Sequence, residues 1–167
     1  MTISDAERAR LTARRDEIRD RHLAADGTRP PSTARGVHHV ALISSDVERT
    51  VRFYQDVLGF PLTEMFENRD LAGSTHFFFD LGHGNTIAFF DLPSVDPGPY
   101  AEVLGGLHHL AISIERDKWE AARERLHAEG VETVEIDHSS IYFRDPDGAR
   151  LELISDPLGE MYGETVL

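Results

Sequence analysis

The chain has 167 residues, 40% of them hydrophobic, the length and composition of one globular domain with a buried core. Its 17 basic and 30 acidic residues leave a net charge of −13, which repels a nucleic-acid backbone or an anionic membrane surface and argues against both as partners. With no cysteine, disulfides, zinc–thiolate centres and thiol nucleophiles are excluded, so any tight metal site must be built from Asp, Glu and the nine histidines.

Residues 3–23 are rich in Arg, Glu, Asp and Ala, with a thin apolar stripe at Ile3, Leu11, Ile18 and Leu23; this predicts a weakly amphipathic helix ending at Gly27. The N-terminus lacks the apolar stretch of a secretion signal, and no apolar run approaches bilayer length, which makes a cytoplasmic protein the expectation. Ala25 to Arg35, holding Gly27, Pro30, Pro31 and Ser32, reads as a linker, so residues 1–35 form an extension and the compact domain spans 36–160, with a tail at 161–167. Val37 to Ser44 is strand-like. Ser45-Asp46-Val47-Glu48 then has capping-box spacing and opens a helix running to about Leu58. Strands are predicted at Leu62–Glu67, Thr75–Leu81 and Thr86–Leu92, separated by Gly73, Gly82 and Gly84. The order over 36–92 is βαβββ.

After a Pro- and Gly-rich connection at 93–106, the order repeats over 107–156. Leu107–Ile114 reads as a strand, about Asp117 to Glu129 as a helix with Trp119, Ala122 and Leu126 at helical spacing, and Val131–Ile136, Ser140–Arg144 and Ala149–Ile154 as strands. Val37-His38-His39-Val40-Ala41-Leu42 matches Leu107-His108-His109-Leu110-Ala111-Ile112, and Gly84–Phe90 matches Gly148–Ile154, which sets Ala88 opposite Glu152. The duplication predicts two βαβββ modules in one curved sheet with helices outside. Asp145-Pro146-Asp147-Gly148 reads as a tight turn, and alternation sends about half of Phe77, Phe78, Phe79, Phe89 and Phe90 to the core.

Strand alternation places His109 with Ala111 and Ser113, away from an oily face holding His108, Leu110, Ile112 and Ile114. Glu152 shares its face with Arg150 and Ile154, while Leu151 and Leu153 are oily-side. His39 lies with Val37, Ala41 and Ile43, and its equivalence to His109 makes it the choice over His38. A single strand histidine usually has a structural role. Two at matching repeat positions, with an acid inside an apolar strand, have the composition of a two-histidine, one-carboxylate metal site, His39, His109 and Glu152.

The segments HHVAL, FYQDVLGF, HHLAI and YFRDPDGARLELI, covering about Gly36 to Asp156, resemble the vicinal oxygen chelate superfamily. That superfamily holds glyoxalase I, methylmalonyl-CoA epimerase, fosfomycin-type resistance enzymes, extradiol catechol dioxygenases and metal-free bleomycin-binding proteins. The resemblance implies an α+β fold of paired βαβββ modules around a metal-binding cavity, with His39, His109 and Glu152 as ligands of one divalent ion. It also implies a homodimer acting on a small molecule, with the two modules paired either within one chain or across the dimer, so that Glu152 and His39 would come from one subunit or from two. Glyoxalase I and the epimerases carry a further Glu or Gln where this chain has Ala88, which can neither bind metal nor move a proton. The remaining triad is the pattern of the extradiol dioxygenases, so Fe(II) is the first expectation, with Zn, Ni, Mn or Co as alternatives. By the same resemblance Tyr142 and Asn85 would orient substrate and oxygen. Asn85 stands where those dioxygenases carry a histidine, and His76 and His138 are the substitutes for it if they face the cavity. The other readings are a non-oxidative lyase, isomerase or thiol transferase, and a drug- or natural-product-binding resistance protein.

Overall fold

The structure, a computed structural model, describes residues 3–25 and 27–167. The chain divides into two units, one up to Arg35 and one from Gly36 to Leu167. In the first, α1 spans Asp5–His22. The side chain of its N-cap Ser4 accepts from the Glu7 N–H at 3.2 Å, satisfying one of the free donors of the first turn. Ion pairs such as Arg10–Glu7 and Arg21–Glu17 line its surface, and none of its residues is buried. No helix of the described residues is long and apolar enough to cross a membrane.

The second unit carries the βαβββ order twice. The first module is β1 (His39–Ser44), α2 (Val47–Arg52), a π-helical turn (Phe53–Val57), β2 (Leu62–Glu67), β3 (Thr75–Asp80) and β4 (Thr86–Asp91). The second is β5 (Leu110–Ser113), α3 (Arg116–Ala128), β6 (Thr133–Ile136), β7 (Ser140–Arg144) and β8 (Arg150–Ile154). Each makes a four-stranded mixed sheet of one design, β1-β4-β3-β2 and β5-β8-β7-β6, in which only the first pair is parallel. The fold is α+β. The expected single curved sheet is instead two sheets, with no strand pairing between them among the described residues. The segment expected as a plain tail closes a short hairpin, β9 (Glu160–Met161) with β10 (Glu164–Thr165).

Local chemistry accounts for the elements. Asp46, rather than Ser45, caps α2: its carboxylate accepts from Arg49 N–H at 3.0 Å. Ser45 is drawn away by Asp147, to which its N–H and hydroxyl both donate. In α3, Trp119, Ala122 and Leu126 form the buried stripe, and Trp119 Nε1 donates to the Leu153 carbonyl at 3.0 Å, tying the helix to β8. Gly59 and Gly130, at φ +84° and +71°, take the left-handed conformation that stops a helix.

One core joins the two modules, with Phe53, Tyr54, Phe79 and Phe89 from the first and Trp119, Leu126, Ile141 and Leu153 from the second. Tyr54 is fully buried and stacks on Phe79, and its hydroxyl reaches across to donate to Asp145 at 3.1 Å. Arg125 returns the link, donating to the Val57 carbonyl at 2.6 Å. The phenylalanine runs divide by alternation: Phe77, Phe79 and Phe89 are core, while Phe78 and Phe90 are half-buried on the opposite face beside His76.

Candidate metal centre

The site begins with register. In module 1, Ala41 pairs with Ala88; in module 2, Ala111 pairs with Glu152. The two positions matched by sequence are therefore equivalent in the fold, and Glu152 has its counterpart in a residue with no donor atom.

Glu152 is 5% exposed, at the centre of β8. Its Oε2 lies 3.1 Å from His109 Nε2, and its Oε1 accepts from the Ser140 hydroxyl at 2.5 Å. Tyr142, on the same face of β7, hydrogen-bonds the same carboxylate and sets its ring edge-on to His109, with centroids 5.6 Å apart. Burial, then the hydrogen bond to Glu152 and its negative charge, push the Tyr142 phenol up to about 12, so it stays a neutral donor. Three groups thus stabilise one buried carboxylate.

His109 is held from its other side. Its Nδ1 is 2.7 Å from His108 Nδ1, and His108 Nε2 is 3.1 Å from Arg150 Nη1. A guanidinium can only donate, so in neutral rings His108 Nε2 accepts, His108 Nδ1–H donates to His109, and His109 Nε2–H donates to Glu152. This corrects the expected placing of His108 on the oily face. Regular pairing starts only at Leu110, so alternation does not govern His108, whose side chain is exposed. A cation at His109 Nε2 would require that nitrogen's proton to move to Nδ1 and the His108 proton to move from Nδ1 to Nε2, which would end the hydrogen bond from Arg150.

In module 1, His39 opens β1 with its Nδ1 2.9 Å from His38 Nδ1 and its ring edge-on to Phe78. His76 stacks on Phe90 with centroids 3.9 Å apart, and its buried Nε2 has no hydrogen-bond partner. Burial, then the nearby His39, hold its pKa below the usual imidazole value. Asn85 donates to the Gly82 carbonyl at 3.1 Å and is tied into its own turn. His138 is exposed in the loop before β7, at φ +59°.

His109, Glu152 and Tyr142 are therefore together, while His39 and His76 share a face of the other sheet. Among the described residues no group of three or more His, Asp or Glu side chains is gathered closely enough to hold a metal ion. The donors that do meet suit a divalent cation. One about 2.1 Å from each of two donors at a right angle sets them about 3.0 Å apart, close to the His109–Glu152 spacing of 3.1 Å. Sequence reasoning missed Ser140 and His108. The signal was present in the alternation Ser140-Ile141-Tyr142 and in the His-His doublet that opens both modules.

Residues 36–153 match the family model of the Glyoxalase/Bleomycin resistance protein/Dioxygenase superfamily. The chain belongs to that superfamily. Its similarity to the putative ring-cleaving dioxygenase MhqA of Bacillus subtilis is 27% identity over 77% of this chain, which spans only 42% of that longer protein. With the metallothiol transferase FosB of Shouchella clausii it shares 30% identity over 75% of this chain and 83% of FosB. The fosfomycin resistance protein FosX of Listeria monocytogenes, solved with Mn(II) and dihydroxypropylphosphonic acid, superposes with a TM-score of 0.55 at 27% identity, over 74% of this chain and 94% of that one. The superfamily thus includes ring-cleaving dioxygenases and metallothiol transferases, and members that bind a divalent metal and small molecules.

Proposed function

We propose that this chain is a divalent-metal-dependent enzyme acting on a small molecule. In this reading His109 and Glu152 of one chain and His39 of a second copy form the two-histidine, one-carboxylate centre. The observation that carries the reading is the 3.1 Å approach of His109 Nε2 to a carboxylate that is 5% exposed. Because no such group of three is gathered within one chain among the described residues, His39 is taken from a second copy, and an isologous dimer would complete the set.

The reaction we favour is extradiol-type ring cleavage with Fe(II). Support comes from Ala88, which leaves the position of a fourth protein ligand empty, and from the likeness to MhqA. An iron(II) bound there would supply open positions for a vicinal diol and dioxygen. The chain's own residues would orient and exclude. Tyr142 stays protonated and donates, the aromatic wall of His76, Phe78 and Phe90 keeps water from the His39 side, and His76 is the module 1 group free to exchange a proton. Asn85, tied to Gly82, shapes its turn. A second reading, thiol transfer, is supported by the FosB likeness, which spans most of that protein.

Metal per chain, measured by elemental mass spectrometry after anaerobic iron(II) loading and desalting, tests the centre. About one ion per chain in the wild type and much less in Glu152→Ala is expected for a lost ligand. Equal content in the two would remove the triad from consideration. Oxygen uptake with catechols, against thiol addition to an epoxide, then separates the two reactions.

A further inference from the structure

In a chain of net charge −13, two guanidinium groups and an imidazole converge on one carboxylate. Glu102, in the connection between modules, has its Oε1 2.8 Å from Arg150 and 3.7 Å from Arg144, and its Oε2 3.8 Å from His108. The connection is pinned there. Tyr100 donates to the Leu107 carbonyl at 2.6 Å and lies under the Arg144 guanidinium, 5.7 Å from its ring centre. The same two arginines line a cleft of about 870 Å³, together with His109, Tyr142, Val134 and Ile136. The cleft therefore has apolar walls, a cationic end and the proposed metal ligand His109 on one lining.

We propose that Arg144 and Arg150 are a carboxylate-binding subsite of this cleft, and that Glu102 occupies it as an internal carboxylate until an organic acid displaces it. Arginine forks suit a carboxylate, and a tethered one competes at high effective concentration. Strand geometry sets the ligand's length. Arg150 and Glu152 are alternate residues on one face of β8, so their backbone positions stand about 7 Å apart, and that spacing sets the scale between the cationic end and the metal-binding carboxylate. A small hydroxylated aromatic acid, with its carboxylate across the ring from its hydroxyl groups, spans that distance. The placing of the hydroxyl end rests on the metal-site reading above; the acid end does not.

The probe is 4-hydroxybenzoate, which carries the acid but cannot chelate, with 4-hydroxybenzamide as its uncharged partner. Both are titrated calorimetrically into the full-length chain freed of metal by chelator. The acid should bind at least about tenfold more tightly than the amide, because only it satisfies the arginines. Glu102→Gln should tighten the acid by about three- to tenfold, since the competing charge is gone and the exposed segment keeps its shape. Arg150→Gln and Arg144→Gln should each weaken it, with melting curves by circular dichroism reporting that the fold persists. Equal binding of acid and amide, or a Glu102→Gln protein that binds the acid no better than wild type, would overturn the proposal. Glu152→Ala separates the two readings: acid binding preserved there supports the subsite whatever the metal assay gives, and acid binding lost there overturns it as a separate subsite.

Discussion

Two variants that each lose the metal, His39→Ala and Glu152→Ala, should repair one another when they share a dimer. In a two-fold dimer each site takes His39 from one chain and His109 with Glu152 from the other. A heterodimer of the two variants therefore has one site with both substitutions and one with none. Co-expression with two different affinity tags, followed by purification on both, isolates that species. Elemental analysis should find about one metal ion per two chains in it, half the wild-type content, against far less in either homodimer. The magnitude follows from the two-fold stoichiometry, one intact site of two, with His39 supplied from β1 of one chain and Glu152 from β8 of the other. If the triad instead assembled within one chain, no pairing of these variants could contain an intact set. A heterodimer as empty as its parents would refute the cross-chain centre.

Ser140→Ala removes a hydroxyl that donates to Glu152 Oε1 at 2.5 Å, and should lower metal affinity by about 10- to 100-fold with the fold intact, as read by competition against a chelator. An unchanged affinity would mean that the carboxylate is oriented without it. Asp145 tests the junction between modules, because burial holds its pKa above the ordinary carboxylate value despite hydrogen bonds from Ala149, Tyr54 and Asp147. Its native state keeps a proton that the unfolded chain has lost, so its contribution is fully present below the unfolded pKa and is lost as pH rises through the raised folded value. Asp145→Asn should gain stability relative to wild type across that rise, measured by urea unfolding from about pH 4 to neutrality; a pH-independent difference would contradict the assignment.

The repeat was legible because its two halves keep both the hydrophobic pattern and the chemistry at equivalent registers. Matching Ala88 to Glu152 from sequence foreshadowed the Ala41–Ala88 and Ala111–Glu152 pairs of the two sheets. What could not be read were effects that act over long chain distances or outside regular pairing. Ser45 looks like a helix cap from its neighbours alone, but Asp147, 102 residues away, claims it and leaves the cap to Asp46. Alternation misplaced His108 because the strand that would enforce it begins at Leu110. Glu102 sits in a connection with no periodicity at all, so nothing local announced that its carboxylate meets Arg150.

The asymmetry between the modules bears on how such a site is built. The His-His doublet stands in both halves of the duplicated unit, while the acid stands only in module 2. In the proposed dimer, two equivalent centres would need two copies of one contact, module 1 of each chain against module 2 of the other, which is the self-complementary arrangement a two-fold axis supplies. A second acid at position 88 would gain nothing in such a pair. Ala88 is fully buried between Ala41 and Phe78, where a carboxylate would need space and hydrogen-bond partners that Glu152 finds in Ser140, Tyr142 and His109. In the proposed centre the cost of burying one carboxylate would be met once per site, by residues of the module that holds it, and the other module would contribute a histidine and an aromatic wall.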